Sequence, residues 1–142
     1  VRDAPERTAT RRTPFADADF HRRLFADDAL ELLTRARSSG VRVAVVSDVH
    51  VDIRPRFHAA GLGAHVDGYA LSYEHGVEKP DPLLFEAALG TVGARPEEAL
   101  MVGGRHAHDG GAAALGVATL ILPPLTTRTR RRLHLVERLL VP

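Results

Sequence analysis

The sequence predicts an α/β chain, a three-layer α/β/α sandwich around a parallel, Rossmann-like sheet, and three observations carry that expectation. Residues 41–46, Val-Arg-Val-Ala-Val-Val, form a nearly continuous β-branched run. Such runs belong to strands covered on both faces, as parallel strands are. Shorter apolar runs recur at 68–72, 99–102 and 117–122. Stretches with helical spacing and short connections separate them, so strand and helix units alternate as in a doubly wound sheet.

Each element has a local reason. Residues 1–27 are polar, arginine-rich and turn-prone, with a short helix expected around 20–25. Asp28 stands where a carboxylate would cap a helix over 29–38, and Gly40 would stop that helix in the left-handed region. Its apolar face is Leu30, Leu33 and Ala36, with Leu32 alongside. After the strand at 41–46, a helix is expected over 52–60, ended by Gly61. A strand at 68–72, a helix at 82–91, a strand at 99–102, a short helix at 110–115 closed by Gly116 and a strand at 117–122 follow. A helix over 129–140 is expected to close the chain. The expected organisation is a polar N-terminal segment, 1–27, before a Rossmann-like core, 28–142.

A length of 142 residues suits one domain with a real core but is short for an enzyme with a separate lid. The formal charge of +1 points to no acidic partner. No apolar run has membrane-spanning length and no secretory signal pattern opens the chain, so no membrane partner is expected. Cysteine is absent, which removes disulfides and thiolate metal sites and fits a cytoplasmic location. Arg128, Arg130, Arg131 and Arg132 precede an apolar stripe of Leu133, Val136 and Leu140. With no aromatic platform or nucleic-acid module beside them, they read as a solvated helix face and not as a nucleic-acid site. The chain begins with Val1, and Met101 is its one methionine. Either an N-terminal portion has been removed or a GTG start is written as valine, and both leave room for a longer polypeptide.

Chemistry is expected where the strands end, because ligands of parallel sheets bind beyond the carboxyl ends of the strands. Ser47 follows the first apolar run, and Gly103 follows the run at 99–102. Lys79, the one lysine, lies in Val77-Glu78-Lys79-Pro80-Asp81-Pro82, while every other fixed positive charge is arginine. An ammonium is a compact point charge that the planar guanidinium does not imitate. The second strand end opens Gly103-Gly104-Arg105-His106-Ala107-His108-Asp109. His106, His108 and Asp109, with His75, have the donor types of a transition-metal site but lack an identified complete ligand set.

A strand-end serine, a downstream Glu-Lys-Pro-Asp-Pro and a strand-end Val-Gly-Gly with a later aspartate resemble the haloacid dehalogenase-like (HAD) superfamily of phosphohydrolases over about residues 29–124. The resemblance implies phosphate binding by the Ser47 hydroxyl and the Lys79 ammonium, with magnesium as cofactor and Asp109 as a metal ligand. It also exposes departures. The family's nucleophile is the first aspartate of an Asp-x-Asp at the end of a central first strand, and no hydrophobic strand precedes Ser47 at the required interval. Asp17-Ala18-Asp19 has the letters, but the charged, proline-broken segment before it reads as an exposed turn. Gly104 stands where the family has its magnesium-binding aspartate, which puts the Mg2+ site in doubt.

The expectation is therefore a truncated or degenerate phosphatase, inactive as this chain, that keeps a pocket for phosphate or a small phosphorylated molecule. One alternative is a magnesium-dependent phosphohydrolase completed by an N-terminal segment or a complementing chain. Another is a protein-interaction scaffold. Without the central first strand, the strands at 41–46 and 99–102 are expected to pair directly or to accept a strand from a partner, with homo-oligomerisation as one outcome.

Overall fold

A computed structural model describes residues 21–140 of the chain. The Asp17-Ala18-Asp19 motif lies outside them. The elements are helix α1 (Ala29–Ser38), strand β1 (Ala44–Ser47), helix α2 (Arg54–Ala59), strand β2 (Gly68–Leu71), the single turn α3 (Ser72–His75), helix α4 (Pro82–Val92), strand β3 (Leu100–Gly103), the single turn α5 (His106–Asp109), strand β4 (Ala118–Ile121) and helix α6 (His134–Glu137). Short 3-10 segments lie at Gly63–His65, Pro96–Glu98 and Gly110–Leu115. None of the described helices is long and apolar enough to cross a membrane.

The strand expected at 41–46 starts later, because its first residues have other partners. The Val41 amide donates to Ala36 O and helps close α1. The Val43 amide donates to the Asp67 carboxylate, and Val43 O accepts from the Asp67 and Gly68 amides. Only from Ala44 is the backbone free to enter a ladder. The long C-terminal helix expected over 129–140 is also corrected, since the described residues there contain only α6. Arg128 and Arg131 are drawn to Asp27 and Glu31. The amides of Arg132 and Leu133 both donate to Asp28 Oδ2, at 3.0 Å each. Asp28 makes no side-chain cap on α1, against expectation, and its buried carboxylate instead receives the chain entering α6.

The sheet is divided. β1 pairs in parallel with β2, from Ala44 opposite Gly68 to Ser47 opposite Leu71. β3 pairs in parallel with β4, from Leu100 opposite Ala118 to Gly103 opposite Ile121. Among the described residues these are two separate two-stranded sheets, so the expected direct pairing of β1 with β3 does not occur. Helix α4 holds the halves in place. Its Leu84 and Ala88 pack with Ala70, Ala44 and Val46, while Phe85 packs with Ala112, Val117, Val46 and Met101. Val46 belongs to both clusters, so one helix serves as a common floor for both half-sheets.

Between β1 and β3 lies a cleft of about 1080 Å³, lined by both strands and by residues of α1, α4 and the region around α6. This explains the burial of β1, whose residues are all half-buried although the β-branched run implies cover on every side.

Removing a methyl-rich side chain from the α4 floor should therefore loosen both halves together. Leu84→Ala is expected to lower unfolding free energy by about 2–5 kcal/mol, because Leu84 is fully buried. Leu83→Ala, at an exposed neighbouring position, should change it by less than about 0.5 kcal/mol. Urea unfolding followed by circular dichroism measures both, and equal effects would contradict the packing described.

Candidate functional site

The carboxyl ends of β1 and β3 meet through the lysine loop. Gly76, in the left-handed region, ends α3, and the chain then runs through Lys79 into α4, which Asp81 caps by accepting the Leu83 amide at 2.9 Å. The Lys79 amide donates to Asp48 Oδ1 at 2.8 Å, and Lys79 Nζ lies 3.5 Å from Val46 O. Main chain and side chain of Lys79 thus hold the two neighbours of Ser47. Ser47 itself sits at the last ladder position of β1, and no side-chain hydrogen bond engages its hydroxyl among the described residues.

From the other half-sheet comes Asp109. Its Oδ1 accepts from Lys79 Nζ at 2.6 Å, and its Oδ2 accepts from the Gly104 and Arg105 amides at 2.9 Å each. The sequence allows this docking only with glycine at the end of β3: a Cβ on Gly103 would lie 2.3 Å from the Asp109 carboxyl carbon. Gly111 plays the same part beneath the lysine loop, where a Cβ would stand 2.9 Å from Pro80 O. Burial pushes the Asp109 carboxyl up, but the Lys79 hydrogen bond, the Arg105 amide, the Lys79 charge and the Gly104 amide outweigh it and hold the pKa below the ordinary value.

The three residues singled out by the sequence are therefore brought together, with Lys79 joining Asp109 to the flanks of Ser47. Two further groups lie at this edge. Asp48 accepts the Lys79 amide and faces His108, with Oδ2 3.3 Å from Nδ1. Arg105 Nη2 lies 2.8 Å from His108 Nε2. A guanidinium only donates, so Nε2 is the acceptor and Nδ1 carries the proton toward Asp48. Arg132, read as part of a solvated cluster, places Nη1 3.4 Å from where a Cβ on Gly104 would be and donates from Nη1 to Pro123 O at 2.6 Å. No local pattern announces that contact, because it depends on how α6 returns to the sheet.

These donors do not fit magnesium. An octahedral oxygen shell includes one or more available carboxylates; Asp109 has both oxygens engaged, Asp48 likewise, and position 104 offers none. No group of three His, Cys, Asp or Glu among the described residues is arranged to hold a metal ion, and His106, His108 and His75 form no such set.

Residues 4–116 match the haloacid dehalogenase-like hydrolase family, to which the chain belongs. It is 40% identical over 77 residues to a phosphoserine phosphatase of Thermus thermophilus, covering 54% of this chain and 31% of that protein. It is 33% identical over 98 residues to a glyceraldehyde 3-phosphate phosphatase of Methanothermobacter thermautotrophicus, covering 67% of this chain and 43% of that protein. The chain thus spans less than half the length of these relatives. The fold is shared with a HAD phosphatase from Thermococcus onnurineus, at a TM-score of 0.70 and 22% identity over 80% of this chain and 57% of that one. A HAD-superfamily hydrolase from Ehrlichia chaffeensis gives 0.66 at 22% identity, over 81% and 57%.

The ion pair carries a pH signature. Because the folded pKa of Asp109 is lowered, its stabilisation is complete above the unfolded value of about 3.9 and is lost as pH falls through the folded one. At pH 7, Asp109→Asn is expected to cost on the order of 3 kcal/mol by leaving the buried ammonium unpaired. The gap between wild type and variant should narrow toward pH 3, as read from urea midpoints. A gap unchanged by pH would show that Asp109 is not acting as a paired carboxylate.

Proposed function

We propose that this chain is a phosphohydrolase-family domain that keeps the anion-binding end of the site, Ser47 and Lys79, and does not turn over phosphate esters by itself. The observation that carries this reading is the convergence of Lys79 and Asp109 on the flanks of Ser47, with both nearby carboxylates already committed to hydrogen bonds. A hydroxyl and an ammonium at a strand end suit the oxygens of a phosphoryl group, and positive charge is what phosphoryl transfer requires there. The reaction also needs an in-line nucleophile, which neither Asp48 nor Asp109 is free to be. The ligand class is a small phosphate monoester or inorganic phosphate, as the printed names of the two curated relatives favour. The lack of cysteine favours a cytoplasmic setting.

The cleft favours a second reading, in which polypeptide from outside this chain completes a phosphohydrolase. Magnesium would then require carboxylates brought by that polypeptide.

The test has two arms. With an aryl phosphate and magnesium, the chain alone should show no turnover above buffer, and inorganic phosphate should bind weakly and several-fold more weakly in Ser47→Ala, by calorimetry. Gly104→Asp should not raise magnesium affinity, because the new carboxylate would face the Arg132 guanidinium; Gly104→Asp with Arg132→Gln should raise it. Metal-dependent turnover by the unmodified chain would overturn the reading, as would phosphate binding indifferent to Ser47.

A further inference from the structure

We propose that the Arg132 guanidinium is the second cation of the anion site and takes the place of a divalent metal, so that this chain binds a phosphate oxyanion without magnesium. The proposal rests on the first functional reading above, a phosphate pocket at Ser47 and Lys79, and names the group that serves it from the β3 side.

The starting observation is a charge without a partner. Arg128 and Arg131 are exposed and lie against Asp27 and Glu31. Arg132 is half-buried, and among the described residues no carboxylate pairs with its guanidinium. Asp28 takes the main-chain amides of Arg132 and Leu133 and not the side chain. The one side-chain hydrogen bond of Arg132 among the described residues runs from Nη1 to Pro123 O; Nη2 has none, and Nε is buried with no partner. Withdrawing a cation from water is costly unless it is paired, and an orphaned buried donor calls for an explanation. Arg105, the other guanidinium at this edge without a carboxylate, is exposed and makes no such demand.

The guanidinium stands where an anion would need it. The Leu122 amide donates to Gly103 O at 2.7 Å, which sets Pro123 beside the carboxyl end of β3. Pro123 O then receives Arg132 Nη1 at 2.6 Å, and Nη1 lies 3.4 Å from where a Cβ on Gly104 would be. The Gly104 amide is bonded to the same Asp109 carboxylate that Lys79 holds. Arg132 therefore adjoins, from the β3 side, the residue that links Lys79 to that strand end. Buried Asp28 fixes the main chain at Arg132 and Pro123 O fixes the side chain, so the cation is in place before any ligand arrives. A preorganised charge loses nothing to rearrangement on binding.

The same position disfavours a metal and keeps the charge. With glycine at 104 no carboxylate is offered, and the space beside it is open to the arginine. A guanidinium is permanently charged and presents planar, paired donors that match two oxygens of a phosphate. Asp109 does not cancel it, because its two oxygens are already taken by Lys79 and by the Gly104 and Arg105 amides. Among the fixed charges named at this edge, the cations Lys79, Arg105 and Arg132 outnumber the carboxylates Asp48 and Asp109. The surplus is what an oxyanion would neutralise.

Titration of inorganic phosphate into the intact chain in metal-free buffer, followed by phosphorus NMR, tests the proposal. Phosphate should bind without magnesium, and adding magnesium or a chelator should leave the affinity unchanged. Arg132→Gln should weaken binding about tenfold, the loss of one charge-assisted hydrogen bond. Arg132→Lys, which keeps the charge but not the planar fork, should weaken it by no more than about threefold. Gly104→Asp should weaken it as Arg132→Gln does, because the new carboxylate would take the guanidinium for itself. Urea midpoints in phosphate-free buffer separate folding from binding: an Arg132 with only a structural role would lower the midpoint and leave the affinity of the folded protein unchanged, which overturns the inference. Phosphate binding that appears only with magnesium, or that falls in Ser47→Ala but not in Arg132→Gln, also overturns it and leaves the first functional reading standing. Binding that falls in Arg132→Gln and is indifferent to Ser47→Ala keeps the guanidinium site and removes that reading.

Discussion

Two half-sheets that share no backbone hydrogen bond must be held together from outside the sheet, and the rest of the structure depends on how this is done. Helix α4 supplies the apolar part, with successive residues Leu84 and Phe85 packed into different clusters and Val46 common to both. The Lys79–Asp109 pair supplies the polar part at the strand ends. The two are connected in sequence, since Lys79 lies just before the helix and Asp81 caps it. A perturbation of the lysine loop therefore acts on the domain core as well as on the site.

This arrangement gives one ion pair two duties. Structurally it neutralises an ammonium and a carboxylate that are both largely buried, 12% and 7% exposed at the side chain. Breaking such a pair from one side is costly because the remaining charge has no solvent to turn to. Chemically, the same ammonium is the positive charge at the end of the sheet where an anion would bind. Any anion drawn to Ser47 must share Lys79 with Asp109, which favours weak binding in the chain alone. The Arg132 guanidinium sharpens the point: position 104 has no carboxylate, and Arg132 Nη1 lies 3.4 Å from where a Cβ there would stand, a cation that opposes a divalent metal on that side.

Much of this was legible in the sequence where the cause is local. Left-handed glycines at 40, 61 and 116 lie just past helical segments, and the strand-end positions of Ser47 and Gly103 follow from where the apolar runs stop. The union of Lys79 with Asp109 was within reach through the spacing of the lysine loop and the second strand end. What escaped was decided by distant partners. Asp28 has the letters of an α1 cap yet spends its carboxylate on Arg132 and Leu133. Val41 to Val43 have strand propensity yet serve α1 and Asp67. The separation of β1 from β3 likewise reflects packing on α4, which no strand pattern records.

The central claim is that, among the described residues, β1 and β3 each have a single strand partner. Amide hydrogen exchange, resolved residue by residue by NMR in the isolated monomeric chain, tests it most directly. Within Ala44–Ser47 and Leu100–Gly103, amides bonded to β2 or β4 should be protected, while the alternate amides facing the cleft should exchange at nearly unprotected rates. Slow exchange at every amide of both strands would mean that they are paired on both edges, and would contradict the divided sheet.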